Sequence, residues 1–136
     1  MSNITQVVNV DKNMTTLKKG VIATGLDKML SESGPFTIFA PTDKAFDKLD
    51  KQVLQDLLKL ENKTKLTDLL RHHVVEGKIA FKDLKDGEKL KTLSGTELHV
   101  HIKEGAVTID GSRIEAHDVQ TSNGVIHSLE TVVTKK

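Results

Sequence analysis

The stretch "GPFTIFAPTD", residues 34–43, holds both prolines and two of the four phenylalanines of a 136-residue chain. "FTIFA" combines alternating bulk with β propensity, so it is expected to be a strand. Pro41 ends it, because proline has no N–H to give to a ladder. Thr42 then offers an N-cap hydroxyl, and Asp43 a first-turn negative charge, to a helix carrying Ala45, Phe46 and Leu49. The stretch reads as a strand-to-helix corner. A catalytic Thr42 or Asp43 at the strand end would need a base, a nucleophile pair or a glycine-rich phosphate loop beside it, and none is there.

Outward from this corner the chain divides into two halves of different period. From residue 4 to about residue 72 apolar residues fall at helical spacing: Val53, Leu54, Leu57, Leu58 and Leu60, then Leu66, Leu69 and Leu70, among Lys, Asp, Glu and Gln. Several short amphipathic helices are expected there. From about Leu90 the period becomes two. "ELHVHIKEGAVTIDGSRIEAHDV" sets Leu98, Val100 and Ile102 on one face, then Val107 and Ile109, then Ile114 and Ala116. Glu104-Gly105 and Asp110-Gly111 sit where tight turns belong, so these strands are expected to form an antiparallel meander. "GVIHSLETVV", residues 124–133, reads as a last strand, with a positive-φ turn at Asn123-Gly124 ahead of it. The class is α+β. One domain is expected over residues 1–136, with its core at about 4–133 and no repeat or linker.

Composition narrows the functions. Lys plus Arg number 20 against 19 Asp plus Glu, and aromatic residues make up 3% with no Trp or Tyr. That argues against nucleic acid, which calls for a basic field and, for single strands, stacking rings. No run approaches the roughly 18 apolar residues of a membrane span, so no membrane insertion is expected. The absence of cysteine rules out disulfides and thiol catalysis. The first twenty residues lack the order of a secretory leader. Read from Met1 the chain is cytoplasmic; with a leader already removed it is extracellular, cell-surface or periplasmic. A monomer is expected.

Catalytic signatures are missing. There is no G-x-S-x-G elbow and no phosphate loop, and Ser94-Gly95 and Ser122-Asn123-Gly124 are ordinary turn chemistry. Asp43, Asp47 and Asp50 alternate with Lys44, Lys48 and Lys51, which reads as a solvated charged face. His99 and His101 share a strand face, and with His117 on a neighbouring strand they would make three imidazoles for zinc. Histidines on a solvated strand face are common, so no metal site and no cofactor is assigned.

Three blocks, "GPFTIFAPTDKAF" (residues 34–46), "LLRHHVVEGKI" (69–79) and "TSNGVIHSLETVV" (121–133), resemble the signature blocks of the fasciclin-like domain family in order and spacing. The resemblance implies a wedge-shaped β-sandwich packed against several short helices. It also implies non-catalytic adhesion to a protein or polysaccharide of a cell surface or matrix. Animal adhesion members are said to engage integrins through a Tyr-His pair with branched apolar neighbours. Here the matching pair is His72-His73, followed by Val74, Val75 and Glu76. Without the tyrosine, integrin binding is not carried over, but the segment 72–76 is expected to be the partner-binding surface, with His72 outward. His73 and His127 are read as buried imidazoles bonded to backbone, and Thr42, Asp43, Asn123, Gly124 and His127 as structural positions. The alternative function is a carrier of an apolar small molecule such as a carotenoid, lined mainly by aliphatic side chains. A hydrolase ranks below both.

Overall fold

The computed structural model describes residues 3–32, 34–48, 51–57, 59 and 62–132. Leu49, Asp50, Leu58, Leu60 and Val133 lie outside the described residues. The chain runs α1 (Ile4–Val10), α2 (Thr15–Thr24), α3 (Leu26–Met29), β1 (Phe36–Pro41), α4 (Asp43–Asp47), α5 (Lys51–Leu57) and α6 (Lys63–Arg71). It continues through β2 (Val74–Glu76), a 3-10 turn at Phe81–Asp83, β3 (Lys89–Lys91), β4 (Glu97–Lys103), β5 (Ala106–Ile109), β6 (Ser112–Arg113), β7 (Val119–Thr121) and β8 (Gly124–Leu129).

The strands form two four-stranded sheets, ordered β2-β1-β8-β7 and β3-β4-β5-β6. In the first sheet β1 pairs in parallel with β8, from Phe36 opposite Gly124 to Pro41 opposite Leu129. Ile38, Ala40, Val74 and Ile126 turn one face of that sheet to the helices, against Ile4, Val8, Leu17, Leu30, Phe46 and Leu70. Phe39, Val75 and Leu129 turn the other face to Leu90, Leu98, Val100 and Ile109 of the second sheet. The first sheet is therefore covered on both sides, which is why "FTIFA" and "GVIHSL" are almost continuously apolar. The second sheet is covered on one side and shows the clean alternation of a half-buried sheet.

The meander forms as its turn residues dictate. Glu104 and Gly105 take φ of 53° and 82°, and Asp110 and Gly111 take 50° and 84°, the positive pair that a two-residue hairpin turn requires. The period ends sooner than expected, however: Ile114 is buried and bridges Leu129, whereas Ala116 is exposed. Ala116 instead holds Ser128, its carbonyl accepting the Ser128 N–H at 2.7 Å and its own N–H donating to the Ser128 hydroxyl at 2.9 Å.

At the corner β1 stops at Pro41, and the Thr42 hydroxyl accepts the Ala45 N–H at 3.3 Å, capping α4. Asp43 does not belong to a solvated face. Its carboxylate turns to α2, accepting the Thr15 hydroxyl at 2.7 Å and the Thr16 N–H at 2.8 Å. Helix α2 has Met14 at its N-cap and no side-chain cap of its own, so Asp43 supplies one from another element.

Candidate functional site

The residues singled out in the sequence fall into three places. The first is the joint between α1, β1 and β8. Asn123 is buried, and its Oδ1 accepts the Ile4 N–H at 2.9 Å while its Nδ2 donates to the carbonyls of Leu30 at 2.6 Å and Glu32 at 2.7 Å. Its own carbonyl accepts the Phe36 N–H at 2.9 Å. A turn does precede β8 at residues 122–123, but neither Asn123 nor Gly124 has a positive φ, which corrects that part of the expectation. Glycine is required at 124 for a different reason: a Cβ there would overlap the carbonyl of Phe36 on the neighbouring strand.

The second place is segment 72–76. His72, His73, Val74 and Val75 are all buried, and only Glu76 is exposed. The expected outward His72 is thus corrected: its Nδ1 meets the Thr96 hydroxyl, and its Nε2 lies 3.9 Å from the Asp110 carboxylate. Two turns of the second sheet close over the ring, one carrying Thr96 and the other Asp110. His73 Nδ1 donates to the Leu69 carbonyl at 2.8 Å. Burial is the main cause that pushes the His73 ring down to about 4, against the Leu69 bond that favours its charged form.

The third place is His127 and its surroundings. Its Nδ1 accepts the Asp118 N–H at 3.1 Å, so its Nε2 carries the proton and donates to the Ile79 carbonyl at 2.8 Å. Burial lowers its pKa, opposed by the Ile79 carbonyl and the Asp118 charge. Asp118, at φ 58°, also accepts the Phe81 N–H at 2.9 Å, the main cause that lowers its own carboxyl. His117 stacks on Phe81 with ring centres 3.9 Å apart and pairs with Asp118 at 3.0 Å. It does not join His99 and His101, and among the described residues no group of three potential metal ligands gathers.

Sequence reasoning passed over Asp118, Thr96 and Asp110. Asp110-Gly111 was visible as a turn, but nothing in a turn dipeptide tells which ring its carboxylate will face.

Between the outer edges of β2 and β3 the two sheets are joined by a single bridge, Val75 to Thr92, beside the bond from Leu93 N–H to the Val74 carbonyl. An open groove of about 550 Å³ runs there, lined by Val75, Glu76, Ile79, Lys89, Leu90 and Lys91 among others. The apolar interior between helices and sheet leaves only about 10 Å³, lined by Val8, Leu17, Ile38 and Leu70 among others. That is roughly the space of one water centre. No helix among the described residues is long and apolar enough to cross a membrane.

The family model of the fasciclin domain matches residues 12–135. Protein sll1483 of Synechocystis sp. is 39% identical over 130 residues, 96% of this chain and 72% of that protein. Transforming growth factor-beta-induced protein ig-h3 of Sus scrofa is 32% identical over 133 residues, which span 97% of this chain but 19% of that protein. Among solved structures, the FAS1 domain pair from the insect cell adhesion molecule fasciclin I shares the fold. It superposes with a TM-score of 0.88 at 18% identity, over 98% of this chain and 51% of that one.

Proposed function

The chain belongs to the fasciclin domain family, and from that premise we propose that it is a non-catalytic interaction domain, working at a cell surface or in a matrix by holding to a protein or polysaccharide there. One observation carries the reading: the polar signature residues Thr42, His73, Asn123 and His127 are all buried in joints between elements. They hold the scaffold together and leave binding to its exposed faces. The likeness of fold to an insect cell adhesion molecule points the same way. The relatives lend no support to a cytoplasmic placement. The cavity between helices and sheet, about 10 Å³, is too small for an organic ligand, so a carrier would have to use the open groove beside β2 and β3.

The test is attachment. The chain, coated on a surface, should hold cells or matrix of the producing organism in a saturable way, without turnover of any material bound. Absence of attachment to cells, matrix and polysaccharide alike would refute the reading. Visible colour acquired in a carotenoid-producing host would replace it with the carrier.

A further inference from the structure

The outer face of the second sheet segregates charge. Its pairing sets Lys89 opposite His99 and Lys91 opposite Glu97, and places His101, Thr108 and Arg113 in one row across β4, β5 and β6. Lys103 follows on β4 opposite Ala106. Lys89, Lys91, Glu97, His99, His101, Lys103 and Arg113 are all exposed, while their strand neighbours Leu90, Leu98, Val100 and Ser112 point inward. Four permanent cations and two imidazoles thus share the strand positions of this face with the single carboxylate of Glu97, and Asp86, Glu104 and Asp110 stand at its edges, on a chain whose total charge is only +1. None of these four cations forms an ion pair within 4.0 Å among the described residues.

We propose that this sheet face binds an anionic polysaccharide, one bearing carboxylate or sulfate groups. The proposal rests on the reading of the chain as an interaction domain and names its partner. The face is flat and polar, with Ala106 as its only apolar member. It lacks the apolar centre and aromatic anchors of a protein interface, and it has no rings on which nucleobases could stack. A hydrated chain of hydroxyls with repeated negative groups matches it, because strands about 4.8 Å apart offer a lattice of cations to such a chain.

His99 and His101 lie in the middle of the face, where their ring nitrogens can hydrogen-bond a polymer's hydroxyls. His99 faces Lys89 across the pair, Glu97 and His101 on its own strand, and the Asp110 carboxylate at 4.0 Å. His101 faces Thr108, with Arg113 beyond it and Lys103 on its own strand. Asp86, bonded to the Ile102 N–H at 2.9 Å, lies at the same edge, and Glu104 stands in the following turn.

The experiment measures binding of the whole chain to immobilised dextran sulfate and alginate, with neutral dextran as control. Binding should be confined to the charged polymers and weaken with salt. Lys103→Glu with Arg113→Glu should weaken it roughly tenfold or more. Lys12→Glu with Lys65→Glu, an equal charge change elsewhere, should leave it nearly intact. His99→Asn with His101→Asn, which removes no permanent charge, should weaken it less than the reversal of Lys103 and Arg113. If the double reversal fails to fold, Lys103→Gln carries the test.

Equal loss in both reversal pairs would reduce the effect to bulk charge and overturn the proposal. So would tighter binding to phosphatidylglycerol vesicles than to either polymer. Attachment to cells without binding to any charged polymer would sink this proposal and leave the interaction reading standing. Polymer binding without attachment to cells would uphold this proposal and narrow the interaction reading to polysaccharide.

Discussion

Asn123 engages both ends of its amide with backbone groups of other elements: the first N–H of α1 and the carbonyls that follow α3. Asn123→Ala strands these buried groups, and a loss on the order of 3 kcal/mol is expected in denaturant unfolding. Asn123→Asp should fare no better, because it turns an oxygen toward the carbonyls of Leu30 and Glu32. Gly124→Ala next door should cost on the order of 2 kcal/mol or more through overlap with Phe36. The buried histidines make a prediction about pH. The fold favours the neutral rings of His73, pushed down to about 4, and of His127, lowered in the same direction, whereas the unfolded chain takes up protons near about 6.5. Stability is therefore complete above that value and falls as the pH drops toward 4, with His73 alone contributing roughly 3 kcal/mol. Urea midpoints measured across this window should decline, and a flat series would contradict neutral buried rings. The burial of His73 and His127 was legible from blocks in which apolar neighbours crowd them. That of His72 was not, since Thr96 and Asp110 reach it from turns distant in sequence.

Elements show the same division between local and distant causes. Thr42 caps α4 three residues ahead, so the corner could be read from ten letters. Asp43 caps α2, and that partnership depends on how the helices pack. Thr42→Ala with Asp43→Ala consequently weakens two helix starts at once. The expected loss is about 2 to 3 kcal/mol, above the roughly 0.5 to 2 of a single cap. Hydrogen exchange should quicken at Thr16 as well as at Ala45; faster exchange at Ala45 alone would remove Asp43 from its role in α2. The meander was legible because Glu104-Gly105 and Asp110-Gly111 encode their turns in adjacent residues. The strand β7 was not, as its three residues are too short to display a period.

For the whole molecule, the pairing that matters most was invisible in the sequence. Nothing local in "FTIFA" or "GVIHSL" announces that they lie side by side in parallel, with three helices and six strands of the chain between them. Their continuous apolar character showed burial on both faces but gave no partner or register. Because β8 walls both cores, a chain ending at Asn123 should lose helices and sheets together, with no cooperative transition left in far-UV circular dichroism. A stable helical remnant would show that the two layers fold independently. The outer face of the second sheet repeats its cations along one side of each copy of the domain. Where several copies are presented together, one long polymer could engage several such sheets. Holding strength would grow by effective concentration, with no contact improved in any single copy.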